Sequence, residues 1–308
     1  MKAFVRISAE NQEVELQEVP LPEMQSDEVL IKVAAFGVGI HDRYFIPSDI
    51  RFPYVIGSEG TGIIQEMGSQ VKDFTIGDKV IFTTFLQEQG GCWAEYAVSK
   101  QSALIKLLDA LTFEQGATIP IAGKTALECM RELNLKRGEH LFIAGASGAI
   151  GTFVIQMAKA KGVHVSASAS PKNHDYMKSL GAEHTVDYND SNWISKVQEW
   201  SNGGVDKALA IQPGTGIESI QVVKTGGELI TVSGDNTAVT PQRDIEIRQM
   251  SHQLFTNQEL TDLVSSIAQG NMKVVIEKEY SFHDALEALK KTETRRARGK
   301  IIVQIDEP

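Results

Sequence analysis

The sequence predicts a two-part chain of class α/β plus β: a compact antiparallel β-barrel or sandwich, followed by a doubly wound α/β domain built on a parallel sheet. Three observations carry this. Between Val29 and Ser99 come short β-type runs, "VLIKVAAFGV", "GTGIIQEMG", "DKVIFTTF" and "WAEYAVS", each bounded by turn residues. After "LLDALTFEQGATIP" the rhythm becomes an alternation of strands and helices. Within it, "GEHLFIAGASGAIGTFVIQMAKAKG" (Gly138 to Gly162) reads as strand, tight turn, helix.

In the alternating part, strands are expected at "HLFIAG", "HVSASA", "HTVDY", "KALAI" and "ELITVS". Helices are expected around Phe153 to Lys161, Asn173 to Leu180, Trp193 to Trp200 and Gly216 to Val223. Such an order builds a parallel sheet with right-handed crossovers. Beyond it, "FTNQELTDLVSSIAQGN" predicts a helix closed by Gly270, then strand-like "MKVVIEKEY", a helix "HDALEALKK" and a last strand "KIIVQID" that can return to the first domain. The expected division is therefore residues 1–119 with 257–308, and residues 120–256.

A chain of 308 residues has length for two such cores. Its net charge of −10 argues against a general affinity for nucleic acid or anionic membrane. No apolar stretch approaches the roughly 20 residues that span a bilayer, and "MKAFVRISAENQEVEL" becomes charged too soon for a signal peptide. The expectation is a cytoplasmic protein with no membrane or nucleic-acid partner. Cys92 and Cys129 are too few and too far apart for a disulfide framework or a four-cysteine zinc site.

The turn after the first strand of a βα unit points backbone N–H groups at a ligand, and the helix adds its positive dipole end. Phosphate is the natural guest. Gly148 would let a pyrophosphate approach without a Cβ, and Gly151 would let helix pack closely on sheet. The spacing G-x-x-G-x-x-G departs from the usual dinucleotide fingerprint, and a glycine turn alone can be ligand-free. Here it follows a strand, opens a helix and begins a five-strand alternation, which is the context the motif requires. About 20 residues on, an acid would bind the ribose of NAD. No Asp or Glu occurs from His164 to Asn173; Ser168, Ser170 and Lys172 offer hydroxyls and a cation suited to a 2′-phosphate. NADPH is the expected cofactor. The alternative for Lys172 is a solvated residue at a helix start.

The chain resembles the medium-chain dehydrogenase/reductase superfamily, in its zinc-free quinone oxidoreductase branch. The resemblance rests on "GVGIHDRY", "PYVIGSEGTGIIQEMGSQVKDFTIGDKVIF", "GGCWAEYAV", "GATIPIAGKTALECM", "AGASGAIGTFVIQMAKAKG", "KSLGAEHTVDY", "VVKTGGELITVSG" and "ARGKIIV" in the correct order. It implies a GroES-like barrel, formed by the N-terminal part and the tail, joined to a Rossmann domain with the active-site cleft between them. Zinc-dependent members place ligands where this chain has Gly39, Ser58 and Ile121, so no metal is expected. By the same resemblance Tyr44 is the cleft tyrosine and Asp42 its neighbour, the two candidate catalytic residues. Tyr44 either bounds the substrate and donates a hydrogen bond or serves as a packing aromatic; for Asp42 local hydrogen bonding outweighs proton transfer. The family's cleft asparagine is Gly39 here. Cofactor contacts are implied for Thr125, for Ser147, Gly148, Ala149 and Ile150, for Tyr188, and for Ser233 and Gly234. Arg298 and Lys300 either reach the cofactor from the tail or begin a strand. "YAVSK" matches the Tyr-x-x-x-Lys spacing of short-chain dehydrogenases, but it precedes the glycine turn and reads as strand, where positions four apart are not brought together.

Without a Lewis acid, hydride transfer favours an electron-poor acceptor, a quinone or α,β-unsaturated carbonyl, over oxidation of an alcohol. The expectation is an NADPH-dependent, zinc-independent reductase of a small-molecule acceptor, working as a homodimer. The alternative is an NADPH-binding sensor or regulatory protein with little or no turnover, which the glycine at position 39 keeps open.

Overall fold

The computed structural model describes residues 1–44, 46–48, 50–233, 244–251 and 257–305. Its contacts divide into two compact units, residues 1–121 with 255–308 and residues 122–254.

The first unit opens with β1 (Lys2–Arg6) and β2 (Val14–Glu18), an antiparallel pair, followed by β3 (Glu28–Val38), β4 (Tyr54–Val55), β5 (Glu59–Met67), β6 (Lys79–Thr83), β7 (Tyr96–Lys100) and β8 (Leu104–Lys106). β3 is buried along nearly its whole length because β5 and β7 both pair with it, which is why it reads as a continuous apolar run. "YAVSK" forms β7, as its pattern indicates. β1, β2, β4 and β8 are additions to the sequence reading: they are two to five residues long and mix polar with apolar positions. α1 (Phe113–Ala117) starts on a capping box in which the Thr112 hydroxyl accepts from Gln115 N and the Gln115 side chain accepts from Thr112 N. Phe36 stacks on the fully buried Trp93, with Phe4 set edge-on to that indole.

α2 (Pro120–Leu133) leads into the second unit, where β9 (His140–Ala144), α3 (Ala149–Ala160), β10 (His164–Ser168), α4 (His174–Leu180), β11 (His184–Val186), α5 (Trp193–Trp200), β12 (Val205–Ala210), α6 (Gly216–Ser219), β13 (Val223–Thr231) and β14 (Glu246–Gln249) alternate. The strands are parallel, in the order β11-β10-β9-β12-β13-β14. The chain thus builds outward from β9 in one direction and then returns to build in the other, which makes the end of β9 the switch point where such sheets bind ligands. α3 begins four residues earlier than periodicity indicated, directly on Gly148. The helix expected over 216–223 is only one turn, because Ile220–Val222 tightens to a 3₁₀ turn and Val223 already pairs with Val205. α2 and β14 were not anticipated.

The tail consists of α7 (Asn257–Ala268), β15 (Ile276–Ser281), α8 (Ala285–Glu293) and β16 (Lys300–Gln304). Gly270, at φ +76°, ends α7 in the left-handed region that favours glycine. β16 pairs antiparallel with β3, Ile301 opposite Val38, so the tail returns to the first unit. β15 lies parallel to β16, unlike the other described pairs of that sheet. Among the described residues no helix is long and apolar enough to cross a membrane.

Candidate active site

In the second unit, the turn between β9 and α3 gives each of its three glycines a separate task. Gly145 sits at φ +76° and reverses the chain. Gly151 lies against the preceding turn: a Cβ there would meet the Ala146 carbonyl oxygen at 2.3 Å. Gly148 caps α3 in extended backbone geometry, without a side-chain hydrogen bond, and a Cβ on it would meet only Gly145 O at 3.6 Å. The space beside Gly148 is therefore open to a guest. Its carbonyl is already occupied by Thr152, through both N (2.9 Å) and Oγ (2.8 Å). The first N–H groups of α3, which have no partner within the helix, are left for an anion. Ser147, Gly148, Ala149 and Ile150 are all half-buried.

The neighbouring strand ends converge on this turn. Ala146 N donates to Ser168 O at 3.4 Å, Ala169 N to Val186 O at 3.1 Å and Ile211 N to Ala144 O at 3.1 Å. Ser168 is buried at the end of β10, Ser170 is half-buried and Lys172 exposed, so the latter two are the accessible polar groups of that segment. The first carboxylate after β10 is Asp175, exposed in the first turn of α4. Tyr188, beyond β11, is exposed. Ser233 Oγ donates to Ile211 O at 2.6 Å, tying the ends of β13 and β12. Thr125 is half-buried on α2. Gly234 lies outside the described residues. Cys129, also on α2, is inert: burial pushes its thiol up to about 12.

The first unit holds the other candidates. Gly39 to Arg43 forms a short 3₁₀ turn in which the buried Asp42 carboxylate accepts from Gly39 N (2.8 Å) and from Ser58 Oγ (2.7 Å). Asp42 thus organises its loop through hydrogen bonds. Tyr44 follows, 47% exposed, and its hydroxyl has no hydrogen-bond partner among the described residues. Next to Ser58 is a second buried carboxylate, Glu59, which accepts from Ile121 N (2.7 Å) and pairs with the buried Lys300 ammonium. Lys300 begins β16 and is committed to this pair; Gly37 makes the room, since a Cβ there would meet Lys300 Cε at 2.7 Å and Glu59 Cγ at 2.9 Å. Sequence reasoning weighed Ser58 only as a ligand position and missed Glu59. The available signal was a Glu and a Lys at the head of two apolar strand runs, "EGTGII" and "KIIV". Burial, with Asp42 and Glu59 nearby, pushes the Cys92 thiol well above its ordinary value.

Gly39, Ser58 and Ile121 therefore serve as hydrogen-bond donors to two carboxylates. A glycine, an isoleucine and a committed serine do not form a zinc donor set. Among the described residues no group of three His, Cys, Asp or Glu side chains is arranged to hold a metal.

Two family models match the chain: an alcohol dehydrogenase GroES-like domain over residues 25–109 and a zinc-binding dehydrogenase over residues 180–303. A zinc-type alcohol dehydrogenase-like protein of Schizosaccharomyces pombe is 30% identical across 94% of this chain and 90% of its own. The chain belongs to the medium-chain dehydrogenase/reductase superfamily. Within that superfamily its place is the quinone oxidoreductase branch: the quinone oxidoreductase of Coxiella burnetii matches with a TM-score of 0.89 and 28% identity, over 99% of each chain. A 2-methylene-furan-3-one reductase of Solanum lycopersicum is 28% identical over 92% of this chain and 74% of its own. The chain is thus an oxidoreductase of this superfamily with a GroES-like domain and a Rossmann-type domain.

Proposed function

We propose that this protein transfers hydride from NADPH to quinones or other activated carbonyls and enones, without zinc. The observation that carries the cofactor is the open cradle at Gly148, set at the switch point of the sheet with the uncapped start of α3 beside it. Ala149 and Ile150 would hold the pyrophosphate through backbone N–H groups beside the open face of Gly148, whose own N–H donates to Gly145 O at 3.3 Å, with Ser147 and Thr125 alongside. Ser170 and Lys172 fit the 2′-phosphate; Tyr188 would flank the adenosine, and Ser233 the far half. Bound there, NADPH supplies a hydride to an electron-poor carbon.

On the acceptor side Tyr44 offers a hydroxyl that has no hydrogen-bond partner among the described residues and is fit to donate to an oxygen that gains negative charge. Asp42 keeps the loop before Tyr44 in place and donates no proton. Gly39, Ser58 and Ile121, which form no zinc donor set, favour acceptors that need no Lewis acid, consistent with the quinone and furanone reductases among the relatives. Gly39 supports a second reading, a dinucleotide-binding sensor with little turnover: its N–H is spent on Asp42 and it has no side chain to polarise a carbonyl.

The test is loss of NADPH absorbance with a panel of small quinones and enals, run with and without a strong chelator. The expected result is turnover indifferent to the chelator. Tight NADPH binding without turnover on any member would move the protein to the second reading. Activity that disappears with chelator would contradict the zinc-free reading.

A further inference from the structure

Arg6 ends β1 and is only 3% exposed. Burial holds its guanidinium below its ordinary pKa. Among the described residues no carboxylate pairs with it, and its Nε is buried without a partner. A cation buried without a counter-charge is costly, and an apolar side chain of similar volume would fill the space more cheaply. What the guanidinium provides is a fork. Nη1 donates to Arg43 O at 3.2 Å, while Nη2 donates to Ser8 O at 3.1 Å and Ala9 O at 2.8 Å.

Arg43 is the residue between Asp42 and Tyr44. The segment has other ties: Asp42 to Gly39 and Ser58, Arg43 Nη1 to Glu293 Oε1 at 2.8 Å, and, within the turn, Tyr44 N donating to His41 O at 2.9 Å. The last closes the turn from within; the carbonyl of that same peptide, Arg43 O, is gripped from outside the turn by Arg6. We propose that Arg6 is a positioning residue, which by gripping the Arg43 carbonyl fixes the chain immediately before Tyr44 and so sets where the tyrosine hydroxyl lies. A lysine could not replace it, since a compact ammonium lacks the planar spread that reaches carbonyls on two loops. The proposal rests on the reading of Tyr44 as the acceptor-side residue, and the experiment separates the two.

The full chain is labelled with 3-fluorotyrosine, the Tyr44 resonance is assigned with Tyr44→Phe, and Arg6→Lys and Arg6→Met are compared with wild type. The Tyr44 line should shift or broaden in both variants while those of Tyr176 and Tyr188, in the other unit, hold. In parallel, kcat/KM for the acceptor should fall about ten- to a hundredfold with the KM for NADPH nearly unchanged. An unmoved Tyr44 line in both variants overturns the proposal. Loss of the whole folded spectrum in both also overturns it, because Arg6 would then be a general support of the fold. A moved Tyr44 line with unchanged acceptor kinetics upholds the positioning and removes Tyr44 from the reaction.

Discussion

The glycine turn of the second unit and the 39–44 segment of the first are built on opposite principles. The turn is made of backbone: an αL glycine, a close approach at Gly151 and a vacancy at Gly148. The 39–44 segment is held by buried charge: Asp42 accepts from two donors, one of them Ser58, and the next residue, Glu59, is locked to Lys300. Backbone devices demand one residue type and so are written in the sequence. Charge networks demand only complementary partners, and their partners come from distant strands.

The largest expected effect lies on the charge side. Lys300→Met leaves Glu59 buried without its counter-charge and should destabilise the first unit by about 3–5 kcal/mol, read as a lower urea midpoint. A midpoint near wild type would mean that the pair contributes no net stability there. On the backbone side, Gly151→Ala drives a Cβ into the Ala146 carbonyl, which cannot yield as a side chain would; the expected cost is about 2 kcal/mol, with weakened NADPH binding. Unimpaired binding in a stable Gly151→Ala protein would show that the close approach is dispensable.

The smallest effect is a pH dependence at the opposite end of the sheet. His140 and His184 head β9 and β11, with Trp200 edge-on to one ring and stacked on the other. Burial lowers both pKa values below the ordinary histidine range; for His140 the stacked His164 and Lys224 act the same way against Asp206 and Glu183, and for His184 Lys178, Lys196 and His174 add to burial. Because the unfolded chain then binds protons more readily, stability is full above about pH 6.5 and declines as pH falls below it, until the folded-state values are passed. The double variant His140→Gln with His184→Gln should flatten this decline in urea titrations between neutral and mildly acid pH. An unchanged slope would assign the titration to other groups.

Much of the fold was legible because β3 and the five strands β9 to β13 carry long apolar runs in a recognisable alternation. The glycine bend was legible because Gly145, at positive φ, and Gly151, against the Ala146 carbonyl, each answer a steric demand that other residues meet poorly. What the sequence hid were short mixed-polarity strands such as β2 and β8, and the 3₁₀ tightening after α6, all decided by tertiary pairing. It also hid the partnership of Glu59 with Lys300, which are 241 positions apart. Ser168 shows the limit of spacing arguments: it sits where a ribose or phosphate contact is expected, yet its position in β10 buries it and leaves Ser170 and Lys172 as the accessible pair.

The measurement that bears most directly on the central claim is a fluorescence titration of wild type and Gly148→Val with NADPH and NADH in parallel. Wild type should prefer NADPH, and filling the cradle should weaken NADPH at least about tenfold while the melting temperature holds. Equal affinity for the two dinucleotides, or NADPH binding undiminished by the valine, would contradict that claim.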